Sequence, residues 1–259
     1  QVTYVSANNT QGKVSDIWPA LKNQTELICD KFDIKKASQL CDVVILAVPH
    51  TIAMTIAPEL IKANLKVIDL SGDYRLKNKT DYYKWYKTEH LDTENFSKAV
   101  YGLPELYRVD IKKAQLISNP GCYPTAALIG LAPMITTHSD DIMSIIIDAK
   151  SGVTGAGRKV SQGLIFAEVN ENLKAYKVLN HQHAPEIDLY LSKLISKNIH
   201  VNFVPHLLPV NIGILETIYI HFKNNQKQDE IHKIYHRFYK TEKFVRLYNV
   251  GEQPELKNV

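Results

Sequence analysis

Of the three cysteines in this 259-residue chain, one stands where thiol chemistry is favoured. Cys122 lies in Ser118-Asn119-Pro120-Gly121-Cys122-Tyr123-Pro124-Thr125, between an apolar run that reads as a strand and a helical pattern through Ala126–Leu131. Pro124 fits the first turn of that helix, where its missing N–H costs nothing. A cysteine at a helix N-terminus meets free backbone N–H groups and the positive end of the macrodipole. Both favour thiolate over a thiol whose unperturbed pKa is about 8.5. Gly121 lets the backbone turn sharply and leaves room for a substrate. Cys29 and Cys41 have no such setting and are expected to be small buried hydrophobes.

A cysteine nucleophile needs an acid/base partner. His181-Gln182-His183-Ala184-Pro185-Glu186 precedes a predicted helix, and if it ends a strand the two imidazoles point the same way. No third ligand at convincing spacing completes a metal set around them, so no metal is expected. His206 is a further candidate, and the other seven histidines read as surface or core residues. Ser151-Gly152-Val153-Thr154-Gly155-Ala156-Gly157-Arg158-Lys159 combines close backbone approach with positive charge and could cradle an anion. Ser71-Gly72-Asp73-Tyr74-Arg75 follows a strand, at the edge of a sheet where α/β folds bind ligands.

The elements that must position these residues fall into two styles. In the first half, short apolar runs at Val43–Val48, Leu65–Leu70 and Ala114–Ser118 alternate with helical patterns, and Val2–Ser6 reads as an opening strand. That rhythm predicts βαβ units and a parallel sheet. Pro58 is expected to kink a helix over 51–64 or mark its later start. The second half has strands at Ile142–Ile147, Val201–Val204 and Gly213–Phe222, with helices over 184–197 and 228–240. In Gly213–Phe222, Ile214, Glu216, Ile218 and Ile220 alternate with a more polar face, as in a sheet covered on one side. The expectation is an α/β chain: an incomplete Rossmann-type parallel-sheet domain over 1–121 and an α+β catalytic domain over 122–259.

Composition removes several function classes. Hydrophobic residues make up 45% and charged residues 22%, which excludes whole-chain disorder. A net charge of +4 without a long run of one sign supports neither nucleic-acid binding nor a polybasic membrane contact. No apolar run approaches the roughly 20 residues of a membrane span. Three scattered cysteines argue against a disulfide framework, so a cytoplasmic setting is expected. The absence of an opening methionine suggests an internal fragment.

With these residues in place, the sequence resembles the N-acetyl-gamma-glutamyl-phosphate reductases, relatives of aspartate-semialdehyde dehydrogenase. The resemblance rests on Asp69-Leu70-Ser71-Gly72-Asp73-Tyr74-Arg75, Tyr101-Gly102-Leu103-Pro104-Glu105, Asn119–Thr125, Ser151–Lys159, His181–Ile187, and Pro205-His206-Leu207 followed by Gly213-Ile214-Leu215. It implies NADPH-dependent reduction of an acyl phosphate through a Cys122 thioester, within arginine biosynthesis. His181 would be the acid/base, with His183 helping to hold the substrate. Arg158, Arg75, Glu186 and His206 are the implied substrate contacts. Ser6, Ala47, Pro49, Ser71, Gly152 and Gly155 are the implied cofactor contacts. A small-molecule substrate and a homodimer or tetramer complete the picture, with a related semialdehyde dehydrogenase acting on an aspartyl or aminoadipyl phosphate, or an inactive fragment, as alternatives. The chain departs from the family in three ways. The opening strand with its glycine-rich loop is not in it, nor is the segment returning to the cofactor domain, and Ile212 stands where arginine is usual.

Overall fold

The computed structural model describes residues 1–157 and 160–258, and the chain divides into two compact units, Gln1–Asn119 and Pro120–Val259. In the first unit the strands are β1 (Val5–Ser6), β2 (Gly12–Lys13), β3 (Ile28–Asp30), β4 (Val43–Leu46), β5 (Lys66–Asp69), β6 (Val100–Tyr101) and β7 (Leu116–Ser118). Its helices are α1 (Val14–Ile17), α2 (Ile34–Leu40), α3 (Ala53–Lys62), α4 (Lys79–Tyr86) and α5 (Pro104–Lys113). Four strands form an all-parallel sheet in the order β4-β5-β7-β6. A small sheet, β1-β3-β2, is parallel between β1 and β3 and antiparallel between β3 and β2.

Strands β1, β4 and β5 are shorter than the apolar runs that announce them, because ladder pairing stops before the run does. Helix α3 runs from Ala53 to Lys62 with Pro58 inside it, so the helix starts before the proline and not at it. Burial of Met54, Ala57 and Leu60 in the core with Val67 and Tyr74 offsets the one hydrogen bond that proline removes. Asp33 caps α2 by accepting from the Lys35 and Lys36 N–H groups, and Asn78 caps α4 in the same way. Strand β4 lies at a sheet edge, with Val43 and Ile45 exposed at 44% and 60%.

The second unit holds α6 (Cys122–His138), β8 (Ile142–Gly152), α7 (Phe166–Val169), β9 (Lys174–Ala175), α8 (His183–Ile195), β10 (Asn202–Leu208), β11 (Ile214–Phe222) and α9 (Gln228–Tyr239). Its sheet has the order β11-β8-β10-β9, parallel only between β8 and β10. Strands β8 and β10 run well past the predicted Ile147 and Val204, since the two ladders on β8 hold it extended up to the glycine stretch. Ile145, Ile147, Ala149, Phe203 and Leu207 are buried along one face, where α6 meets β8 and β11. On the other face Ile146 and Tyr219, paired across β8 and β11, are exposed. Helix α9 is anchored to α6 by the hydroxyls of Tyr235 and Tyr239, which donate to the carbonyls of Gly130 and Ile129.

One buried group stands out in this unit. Glu216 of β11 belongs to the row with Ile214 and Ile218, and it lines a cavity of about 220 Å³ with Ala126 and Gly130 of α6 and with Leu256. Both of its carboxyl oxygens are closed to solvent and accept no hydrogen bond from the described residues. Burial pushes its pKa up to about 8.

Candidate active site

The strand–turn–helix read from Ser118–Thr125 is present: β7 ends at Ser118, Gly121 is the N-cap, and Cys122 is the first residue of α6. The Cys122 side is exposed, whereas Cys29 is buried and Cys41 is half-buried. The turn is held from two sides. The Thr125 N–H and hydroxyl both bond to the Gly121 carbonyl, at 3.0 and 2.8 Å. From the first turn of α8, the buried Glu186 carboxylate accepts the Gly121 N–H at 2.9 Å. Glu186 therefore fixes the backbone immediately before the thiol.

His181 and His183 are both buried, with ring centroids 4.8 Å apart. They meet at a helix start, not at a strand end: His183 is the first residue of α8, and the turn before it brings His181 alongside. The His183 N–H donates to His181 Nδ1 at 3.1 Å, so the neutral His181 ring carries its proton on Nε2. Around this imidazole stand Tyr123, Tyr176 and Phe203, at centroid distances of 5.7, 5.5 and 5.5 Å. Burial, with Lys177 nearby, lowers its pKa to about 4. Tyr123 follows Cys122 in the chain, shares a hydroxyl contact with Tyr176 at 3.1 Å and donates to the His206 carbonyl at 3.4 Å. Sequence reasoning missed both tyrosines; Tyr123 had adjacency to the cysteine as a signal, and Tyr176 had none.

The glycine stretch is tied to the turn before β11. Gly152 N–H donates to the Gly213 carbonyl, Val153 N–H to Val210, and Thr154 to Asn211. A Cβ on Gly152 would lie 2.8 Å from the Asn211 carbonyl oxygen and 2.9 Å from the Ile212 nitrogen. Gly152→Ala must therefore push one backbone off another, with an expected loss of about 1–3 kcal/mol of stability in chemical denaturation. Wild-type stability in that variant would show that the close approach is dispensable. Gly155 is exposed in the same stretch, and Ile212 is exposed in the turn it packs on. Arg158 lies outside the described residues.

His206 keeps its ring on the exposed-side register of β10, with Nδ1 3.2 Å from Asp148, which also pairs with Lys150. The structure thus brings Glu186, His181 and His183 to the Cys122 turn, whereas the His206 ring nitrogen Nδ1 lies 3.3 Å from the Ala149 carbonyl oxygen.

In the first unit, the expected ligand edge is a web of internal bonds. Asp69 accepts from the Ser71 N–H and hydroxyl, and Ser71 Oγ in turn accepts the Asp73 N–H. Burial raises the Asp69 pKa to about 6. The Asp73 carboxylate gathers the N–H groups of Thr51 and Met54 and the Tyr82 hydroxyl. Thr51 sits at φ 74°, an unusual conformation for a β-branched residue, and this carboxylate holds it there. Arg75, 5% exposed, donates to the carbonyls of Leu70 and Asn119, stapling the ends of β5 and β7. Ser71, expected at a ligand, thus bonds to the Asp69 carboxylate and the Asp73 N–H, and Arg75 to two backbone carbonyls. Ala47 and Pro49 are exposed beyond the end of β4, and Ser6 is half-buried at the end of β1, before exposed Asn8, Asn9 and Thr10. Among the described residues, no helix is long and apolar enough to cross a membrane, and no group of three or more metal-binding side chains occurs.

Comparison with known proteins matches each unit to one family model. The semialdehyde dehydrogenase NAD binding domain matches residues 1–114, and the semialdehyde dehydrogenase dimerisation domain matches residues 122–259. N-acetyl-gamma-glutamyl-phosphate reductase of Acetivibrio thermocellus is 44% identical over 259 residues, which is 100% of this chain and 75% of that protein. The enzyme of that name from Desulfotalea psychrophila is 44% identical over 256 residues, covering 98% of this chain and 74% of its own. Aspartate semialdehyde dehydrogenase II of Vibrio cholerae has the same fold, with a TM-score of 0.67 at 14% identity over 98% of this chain and 74% of that one. The Candida albicans aspartate semialdehyde dehydrogenase solved with NADP gives 0.64 at 14% identity, over 90% and 68%.

Proposed function

The chain belongs to the semialdehyde dehydrogenase family and within it to the N-acetyl-gamma-glutamyl-phosphate reductases, and on that premise we propose that it reduces N-acetyl-gamma-glutamyl phosphate to the semialdehyde through a thioester on Cys122. The observation that carries this reading is an exposed thiol at the first residue of α6, on a turn that Glu186 holds by the Gly121 N–H. The thiolate attacks the acyl carbon; a C–S bond forms, the C–O bond to phosphate breaks, and phosphate leaves with the electron pair. The covalent step matters because a thioester accepts hydride far more readily than a carboxylate.

His181 enters as an acid. Its Nδ1 is engaged by the His183 N–H, so Nε2–H is what it offers to oxygen as negative charge develops there. His183 is left to hold the substrate, and Arg158 to meet its phosphate or carboxylate. An imidazole kept neutral by burial makes a specific prediction. In an NMR titration, His181 is expected to change protonation near pH 4. A midpoint near the ordinary value of about 6.5 would mean that His181 is not the neutral Nε2–H donor described here. The sign for stability follows: between about 6.5 and about 4 the unfolded chain binds this proton and the folded one does not. His181 therefore favours the unfolded state as pH falls through that window.

The cofactor is NADP(H), which supplies, when bound, the hydride for the second half of the reaction. The donor set after β1 fits its ribose end: Ser6, Asn8 and Thr10 offer hydroxyl and amide groups at the carboxyl end of a parallel strand. Ala47 and Pro49, exposed after β4, and Ser71, Gly152 and Gly155 are the remaining proposed contacts. A second copy of the chain is the inferred partner, supported by the dimerisation-domain match and the exposed Ile146–Tyr219 face. Arginine biosynthesis in the cytoplasm is the setting this substrate implies.

The test is intact-mass spectrometry after brief exposure to N-acetylglutamyl phosphate without NADPH. An N-acetylglutamyl adduct confined to Cys122 is expected. A folded protein that gains no adduct would overturn the assignment.

A further inference from the structure

We propose that His232 and His236 form an open chelating site for a late first-row divalent metal such as Ni²⁺ or Zn²⁺, apart from the cysteine site. The two residues lie four apart on α9, which places their side chains one above the other on one face of the helix. Their Nε2 atoms are 3.2 Å apart and their ring centroids 4.3 Å apart. Two nitrogens bound at about 2.0–2.1 Å to one metal lie about 2.9 Å apart at a right angle and about 3.4 Å apart at the tetrahedral angle. The observed separation, at which the two rings also share a hydrogen bond, falls inside that range.

A third donor adjoins the pair. The Tyr248 carbonyl oxygen is 3.4 Å from His232 Nε2 and belongs to the segment that follows α9. Two imidazoles and a carbonyl would leave the other positions to water, because His236 is exposed and His232 half-buried. Neutral imidazoles suit nickel, copper and zinc, whereas magnesium and calcium require oxygen donors. The anchoring hydroxyls of Tyr235 and Tyr239 hold α9 to α6 independently of these rings. A bound ion would clasp the Tyr248 segment to the helix and stabilise the folded state by mass action.

The experiment is a calorimetric titration of untagged protein with NiCl₂, with MgCl₂ as control, in a Cys122→Ser background to exclude the thiol. One Ni²⁺ site is expected in the parent, with affinity falling at least about tenfold in His236→Gln and lost in His232→Gln/His236→Gln. At a hundred times Kd, Ni²⁺ should raise the folding equilibrium constant about a hundredfold in the parent and leave the double variant unmoved. The circular dichroism spectrum of each variant establishes that it is folded. Equal Ni²⁺ affinity in parent and double variant, or no Ni²⁺ binding by the folded parent, would overturn the proposal.

Discussion

Cys122→Ser protein, given N-acetylglutamyl phosphate, is expected to acylate at least about a thousandfold more slowly than the parent, while unfolding at the same denaturant concentration. The magnitude follows from removing the one group that makes the covalent bond, since losing a nucleophile typically abolishes nearly all the rate it supports. Serine keeps the shape and the hydrogen-bonding capacity, and Cys122 is exposed, so packing loses little. Quenched-flow sampling with mass detection reads the rate directly. A serine variant that acylates within tenfold of the parent would move the chemistry to another residue. A variant that is slow only because it is unfolded would be exposed by the denaturation curve.

Glu216→Gln is expected to stabilise the protein, with a gain that depends on pH. The folded carboxyl stays neutral to about pH 8, while the unfolded one ionises around 4.5. Between those values the folded state binds more protons than the unfolded state, so stability falls as pH rises. Above about 8 the loss levels off. A shift of this size corresponds to a penalty on the order of 3–5 kcal/mol at the alkaline end. Glutamine keeps the shape and cannot ionise, so the variant should match the parent near pH 4.5 and exceed it by most of that amount at pH 8. Urea denaturation at the two pH values decides it. A difference that does not change with pH would mean that the carboxyl is solvated or paired. His181 tilts the same curve in the opposite sense below about 6.5, so the two buried groups together place the parent's stability maximum on the acid side of neutrality.

Much of the site was legible because its residues are also its punctuation. Pro120, Gly121 and Pro124 around Cys122 read as a strand giving way to a helix, and β7 ends at Ser118 and α6 begins at Cys122. The β-branched runs announced β4, β5 and β8. What was hidden is what short range cannot encode. Helix α4 is made of Lys79-Thr80-Asp81-Tyr82-Tyr83-Lys84-Trp85-Tyr86, mixed in polarity, and its place is fixed by the Asn78 cap and by the Tyr82–Asp73 bond. His181 and His183 share a site because a helix begins between them, although their spacing read equally well as a strand. The Glu186–Gly121 bond joins residues 65 apart in sequence. Glu216 stood plainly in an apolar row, but a row does not reveal whether a partner waits opposite. His232 and His236 stood among the histidines read as surface or core residues, although their spacing of four on a helix is visible in the sequence.

Strand β4 has a consequence for handling the purified protein. Among the described residues it pairs with β5 alone, Val43 and Ile45 flank its other side, and the four residues contain neither a charge nor a proline to turn another strand away. Such an edge is a template for its own kind. Another strand of matching pattern can add there. A lysine at position 45 would disfavour such addition.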